Sequence, residues 1–505
     1  MASPTPGDAA TDREPAVMSV RGAAVWAMAG QYLSFAIQFA ASVIISRFFL
    51  DPAEVGLFSI ALAAALLVAV LNDFGLSRYI SALPRLDGEE VTRCGSVSLL
   101  LSVTVAAVIA LGAWPVASFY GQPGLAPILL IIAGSYLFLP LSVVPLALMG
   151  REMGFRGHFA VNVGGALAQA TVAIALAAQG FSSLSLAWAA VALALSRGII
   201  AQLIRPALPW PLRFDGLGPV MRFGGKSSVL AVSGALGTRT PDLVVGKILT
   251  LFATGLYSRA ASLSEQIRML IGGAIGGVFF PAFARIRDRG EPLGPAYLRV
   301  CAGYSAVVWP GMAGLALAAE PVVRLLYGEI WIGAAPLLAL IALHSCLITM
   351  LPLVSELPIL LGRMNRLLGL NIADTILSLA LLALGCLWGV EGAAASRIVY
   401  ALAWLLLYFR FMHRLVGFDQ GAWLAICARS LVVTLAALAP LTLVYLFWQE
   451  PGRIELPVLA GAVAMGGLCW FAAMVLVRHP ALGDMLGMAQ SALPRRFAIM
   501  LARQS

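Results

Sequence analysis

The chain has 505 residues, 61% hydrophobic and only 11% charged, with 33 Lys and Arg against 24 Asp and Glu for a net charge of +9. Soluble domains carry about 25% charged residues, so this composition excludes an ordinary soluble globular protein. Windows of ~20 residues with few or no charges, long enough to cross a hydrocarbon core as a helix, recur along the chain and mark an all-α polytopic membrane protein.

The first 20 residues are polar, with Pro4, Pro6, Asp8, Asp12 and Glu14, and lack the basic start and short apolar core of a cleavable signal. They read as a disordered cytoplasmic tail over 1–20. Six spans follow: Gly22–Phe49, Val55–Ile80, Cys94–Tyr120, Leu125–Met149, His158–Ala178 and Leu184–Ile204, an N-lobe over 21–204. A basic cytoplasmic linker over 205–218 (RPALPWPLRFDGLG) leads into a C-lobe over 219–416. Its six spans are Val220–Ile248, Thr254–Phe283, Tyr297–Leu317, Ala334–Leu361, Leu367–Val390 and Gly392–Phe411. Two more, Trp423–Phe447 and Leu456–Val477, fall within 417–478, and a second cytoplasmic tail occupies 479–505. The total is about fourteen helices, two six-helix lobes plus two.

Placing the N-terminus in the cytoplasm puts 24 Arg and Lys in inner loops and five (Arg47, Arg239, Lys247, Arg324, Arg453) in outer ones. That positive-inside bias sets the orientation, with both termini cytoplasmic. It also accounts for the net charge without a nucleic-acid partner. The outer loops are short, which argues against a polymerase or ligase with a catalytic loop, and no GxxxxGK[ST] nucleotide cradle occurs. The six cysteines stand singly in apolar stretches and read as small buried hydrophobes, with no Cys/His cluster for a metal.

Two stretches repeat about two hundred residues apart, GLFSIA (Gly56–Ala61) and GLYSRA (Gly255–Ala260). Each follows a long helix that ends in a cation, Arg47 in one case and Lys247 in the other. Six spans per unit give the two copies the same orientation, the pattern of parallel repeats flanking a central cavity.

Polar stripes are then expected to face that cavity. Gln31, Ser34, Gln38, Ser42 and Ser46 share one face of the first span at i, i+3, i+7, i+11 and i+15. Span seven carries Gly234, Thr238, Asp242 and Gly246 at four-residue steps, with Arg239 beside them. In span eight Ser258, Arg259, Ser262, Glu265, Gln266, Arg268 and a run of glycines cover half the circumference. Tight helix packing through small residues would explain the glycines and serines, and Glu265 with Arg268 could neutralise one another. Intramembrane charges otherwise face a bundle interior or wet cavity. The candidate cavity cations are Arg47, Arg239, Lys247, Arg259, Arg268 and Arg397, and the polar or ion-coupling candidates are Gln31, Gln38, Asp73, Asp242 and Glu265. A cationic excess of this kind suits an anionic cargo, phosphate above all, because arginine offers a rigid donor fork.

An ordered set of stretches carries a family resemblance: VGLFSIALAAALLVAVLNDFGLSRYI (Val55–Ile80), REMGFR (Arg151–Arg156), PDLVVGKILTLFATGLYSRAASL (Pro241–Leu263), FFPAFARI (Phe279–Ile286) and VVRLLYGEIWIGAAPLL (Val322–Leu338). On these the chain resembles the polysaccharide transporter family of lipid-linked oligosaccharide flippases, within the multidrug/oligosaccharidyl-lipid/polysaccharide exporter superfamily. The resemblance implies alternating access in the bacterial inner membrane. The implied cargo is an undecaprenyl-pyrophosphate-linked oligosaccharide, moved to the outer leaflet for exopolysaccharide or O-antigen assembly alongside polymerase and assembly proteins. It implies a cationic cavity, to which Lys247, Arg259 and Arg268 are matched, with Asp73 and Asp242 in recurring acidic positions. No resident cofactor is implied, and the coupling ion, proton or sodium, is left open. The competing readings are a cation-coupled multidrug exporter of the same superfamily, which wants an acidic cavity, and a membrane-embedded polymerase or ligase.

Overall fold

The computed structural model describes residues 20–72, 75, 76, 79, 80, 87–208, 210, 212, 213, 215, 237, 239–276 and 279–492. Asp73, one of the expected polar cavity residues, lies outside them, as does the beginning of the seventh expected span. Among the described residues there is no strand.

The helices, in chain order, are α1 (Val20–Phe48), α2 (Pro52–Ala69), α3 (Gly88–Tyr120), α4 (Leu125–Tyr136), α5 (Pro140–Arg151), α6 (Phe155–Ala178) and α7 (Leu184–Ile204). A short helix over 239–248, α8, is followed by α9 (Leu251–Gly276), α10 (Phe279–Asp288), α11 (Leu293–Leu317), α12 (Ala319–Tyr327) and α13 (Ala334–Ile348). The last are α14 (Glu356–Leu360), α15 (Met364–Cys386), α16 (Gly389–Val416), α17 (Gln420–Phe447), α18 (Leu456–Leu476) and α19 (Ala481–Ala492). In hydrocarbon a helix satisfies every backbone N–H and C=O within its own segment, which is why long apolar runs take this form. Leu111, Leu203, Leu406 and Leu476 are each more than three-quarters exposed, as lipid-facing side chains are.

Among the described residues ten helices are long and apolar enough to span a membrane, eleven if α4 and α5 form one broken span. That pair, expected as the single span Leu125–Met149, bends by 44°. Pro140 supplies no N–H and begins the second half, so the break falls in the turn before it. Three other expected spans look different for separate reasons. α9 carries Arg259, Glu265 and Arg268 in its interior, α8 is preceded by residues outside the description, and the expected span Ala334–Leu361 stops at Ile348. There the chain turns through Pro352 and the left-handed Leu353 before resuming as α14. Tyr297 secures the turn by donating to the Pro352 carbonyl at 3.1 Å.

The described residues form two compact units, neither continuous in sequence. The first takes the described parts of Met1–Ser42, Val68–Ala113 and Leu129–Val229. It contains a cluster of Leu76, Ile80, Cys94, Val97, Val144 and Leu148. The second takes the described parts of Val43–Leu67, Trp114–Ile128 and Leu230–Ser505, around Tyr297, Trp404, Tyr408, Phe418 and Trp423.

Inside the second unit the two repeated motifs lie against each other. A Cβ on Gly56 would sit 2.1 Å from the Leu251 carbonyl oxygen, and one on Gly255 1.7 Å from that of Pro52. Only glycine allows α2 and α9 to approach this closely, as small residues do wherever membrane helices cross tightly. One residue-triplet on, Ser258 donates to Ser59 at 2.8 Å.

Candidate functional site

The first unit contains a cavity of about 480 Å³ built from one face each of α1, α6 and α7. The stripe expected on the first span supplies Gln31, Ser34 and Gln38; α6 adds His158 and Asn162, and α7 adds Arg197. Phe35, Phe155 and Phe159 complete an aromatic wall. Two glycines set this geometry. Gly30 lets α6 approach α1, since a Cβ there would lie 3.2 Å from the Phe159 Cα. Gly165 makes room for the Arg197 stem, since its Cβ would lie 2.5 Å from Cγ of that residue.

Arg197 donates through Nη2 to Oδ1 of Asn162 at 2.8 Å. Its buried Nε makes no hydrogen bond among the described residues, and neither does the buried Oγ of Ser34. Buried polar atoms normally have partners, so two orphans on one cavity mark a place shaped for something polar. Among the described residues no carboxylate lines it. Arg197 was not among the cations expected to line a cavity, although it is a charge inside the span Leu184–Ile204, and nothing in the sequence grouped Asn162 and His158 with it.

The second unit holds a polar network on α13, α15 and α16. Arg397 donates to Oγ of Ser378 at 2.9 Å and lies over the Tyr400 ring at 4.6 Å. Tyr400 in turn donates to Oδ1 of Asp374 at 2.9 Å, and Nδ1 of His344 lies 2.9 Å from the Arg397 carbonyl oxygen. Arg397 was expected from the sequence as a cavity cation; its companions come from three helices and were not grouped with it.

The other expected residues are distributed among smaller contacts. Arg259 stacks on Tyr327 and Trp331, its guanidinium carbon 5.5 and 5.6 Å from the ring centroids. Trp331 donates to the Ser46 carbonyl at 2.8 Å, and the adjacent Arg47 donates to the carbonyls of Arg324 and Leu325. Arg47 and Arg259 are thus brought to one aromatic cluster. Lys247 donates to the Phe119 carbonyl and lies 4.1 Å from the Phe119 ring centroid, while Tyr120 donates to the Leu243 carbonyl at 3.0 Å. Arg268 forms a two-pronged pair with Glu265, at 2.8 and 2.5 Å. Arg239 is exposed on α8 and Asp242 half-buried one turn along.

Comparison with known proteins agrees with this architecture. The sequence profile described as "Polysaccharide biosynthesis protein" matches residues 44–336, more than half of the chain. The succinoglycan biosynthesis transport protein ExoT of Rhizobium meliloti (strain 1021) is 27% identical, over 93% of this chain and 95% of its own. The lipopolysaccharide biosynthesis protein WzxC of Escherichia coli (strain K12) is 24% identical, over 71% and 72% respectively. Among solved structures the lipid II flippase MurJ, in an inward closed conformation, superposes with a TM-score of 0.69 over 90% of this chain and 99% of its own, at 12% identity. An inward-facing multidrug resistance transporter of the MATE family matches with a TM-score of 0.54 over 77% and 98%, at 14% identity. The fold is the one these two transporters share, and the chain belongs to the polysaccharide biosynthesis protein family.

Proposed function

We propose that this chain is a flippase for lipid-linked oligosaccharide, carrying undecaprenyl-pyrophosphate-linked repeat units across the bacterial inner membrane for exopolysaccharide or O-antigen assembly. It makes no covalent bond; it binds, reorients and releases. The observation that carries the reading is the cavity of the first unit, where Arg197, Gln31, Gln38, Asn162 and His158 face one space without a carboxylate among the described residues. Amides and an imidazole suit sugar hydroxyls, and a guanidinium suits phosphate oxygens. The same cavity speaks against a cationic drug as cargo, for which an acidic lining is needed. The names of the relatives, a succinoglycan transport protein and a lipid II flippase, support the same cargo class.

Of the six cations expected from the sequence, Arg397, bonded to the Ser378 hydroxyl and stacked on the Tyr400 ring that itself donates to Asp374, best suits a binding or coupling role in the second unit. The contacts of Arg47, Lys247 and Arg259 with carbonyls and aromatic rings support a bracing role between helices. In this reading both termini are cytoplasmic and the cargo loads from the inner leaflet. Deleting the gene in its host tests it: lipid-linked repeat units should accumulate in the cytoplasmic leaflet while surface polymer disappears. Normal surface polymer in a strain without another exporter contradicts it.

A further inference from the structure

A second cavity, of about 800 Å³, opens at one end of the second unit, where α15 begins and its antiparallel neighbour α16 ends. Four arginines line it: Arg363 and Arg366 from the start of α15, Arg410 and Arg414 from the last two turns of α16. Beneath them Leu367 and Met412 are buried, and Tyr408 ties the two helices together by donating to Oδ1 of Asn371 at 2.9 Å. The four cations therefore project from a fixed base.

None of the four side chains has a carboxylate or hydrogen-bond partner among the described residues. Other cations near helix ends do: Arg93 with Glu90 at 3.2 Å, Arg205 with Glu152 at 2.7 Å and Arg287 with Asp288 at 2.7 Å. The arrangement is also locally unfavourable. Arg410 and Arg414 are like charges at i, i+4, and Arg363 and Arg366 stand at the positive end of the α15 dipole, although the C-terminal carbonyls of α16 favour Arg414. Positive-inside topology needs basic residues near this membrane surface, but it does not need four of them around one cavity. A bound anion relieves both conflicts, and the free N–H groups at the start of α15 add to its attraction.

We propose that this cavity binds the phosphate headgroup of a lipid lying at the membrane surface. The guanidinium forks take the phosphate oxygens, while Leu370, Phe411 and Leu415 on the same wall receive the first carbons of the chain. Two lipids carry the required chemistry: the diphosphate lipid of the cargo, which would dock here before entering the protein, and a resident anionic phospholipid. The first of these rests on the function proposed above; the cavity's phosphate chemistry does not.

The test uses the full chain in phosphatidylcholine nanodiscs, with Arg197→Ala as background so that the first unit's cavity does not contribute. The probe is radiolabelled undecaprenyl diphosphate, with cardiolipin in the disc or inorganic pyrophosphate in the buffer as competitors. Replacing all four arginines by alanine should weaken probe binding by roughly tenfold or more, since each charge-assisted bond contributes on that order. The four-lysine variant keeps the charge and the topology but loses the fork, and should fall between the two. Displacement by cardiolipin at equal mole fraction identifies the phospholipid as occupant; retention of the probe identifies the cargo lipid; either outcome supports the cavity. Binding by the folded lysine and alanine variants within twofold of the parent overturns it, as does absence of both lipids from the parent. Export in cells is scored separately, so loss of this site leaves the flippase reading standing, and the converse also holds.

Discussion

Ser258 donates a hydrogen bond to Ser59 across 2.8 Å, and the two serines hold the same place in the two copies of the repeated motif. The copies are therefore partners as well as duplicates. Gly56 and Gly255, the first residue of each copy, face the carbonyls of Leu251 and Pro52 in near-reciprocal fashion. The isoleucine-to-arginine difference two places from the N-terminal half of each motif, Ile60 against Arg259, then decides what surrounds the crossing. Ile60 is fully buried, whereas Arg259 reaches the rings of Tyr327 and Trp331.

The serine pair is measurable by a double-mutant cycle. Ser59→Ala, Ser258→Ala and the double variant should give a coupling of about 0.6 kcal/mol by thermal unfolding in detergent, the size found for hydrogen bonds between membrane helices. Strict additivity would show that the bond is not formed in solution.

The glycines are the stricter requirement. Gly255→Ala places a methyl group against the Pro52 carbonyl and should lower stability by about 1–3 kcal/mol, the usual cost of overpacking. Gly112, also in a helix and with nothing within 4 Å of an added Cβ, is the control. Its alanine variant should be neutral or more stable. A tolerated Gly255→Ala would mean that α2 and α9 part easily.

Arg197→Ala should reduce export at least about tenfold while the protein stays in the membrane, if its guanidinium meets cargo phosphate in a site of low dielectric. Arg197→Lys keeps the charge but loses the planar fork and should restore only part. Quantitative immunoblotting of membranes beside the export measurement separates this from misfolding. Arg259→Ala, by contrast, should act through stability, losing two cation–π contacts of ~0.5–2 kcal/mol each.

His479 gives the fold a pH limit. Its Nδ1 accepts from the Ala481 N–H at 3.3 Å, so the neutral ring carries its proton on Nε2, facing Oγ of Ser430 at 2.9 Å; Ser430 in turn lies 2.8 Å from Ser305. Burial, helped by the nearby charge of Arg429, pushes its pKa down from 6.5 to about 4. Between those values the folded state binds fewer protons than the unfolded one. Stability is therefore complete above about pH 6.5, declines as pH falls toward 4, and stops declining on this account below it. His479→Gln should flatten that limb of a melting-temperature profile.

The sequence disclosed whatever is periodic. The stripe of Gln31, Ser34, Gln38, Ser42 and Ser46 needs only the helical repeat to appear; its first three residues line one cavity, and Ser42 and Ser46 are not in that lining. Pro140 and Pro352 are likewise visible in the sequence, though whether a proline breaks a span or kinks it depends on its neighbours. The fate of a buried cation is different. Arg259, Lys247 and Arg197 look alike in sequence, each charged amid apolar residues. Their surroundings come from Trp331, Phe119 and Asn162, between 35 and 128 positions away for the hydrogen-bonded pairs, and are settled only by tertiary packing.

Reconstitution tests the central claim most directly. Purified protein is placed in liposomes whose undecaprenyl-pyrophosphate-linked oligosaccharide is spread over both leaflets, and an impermeant glycosidase is added outside. With the wild-type protein nearly all of the sugar should become accessible, whereas empty liposomes and the Arg197→Ala variant should protect the inner half. An inner half that stays protected in the presence of folded wild-type protein, under an imposed proton or sodium gradient of either direction, would contradict the account.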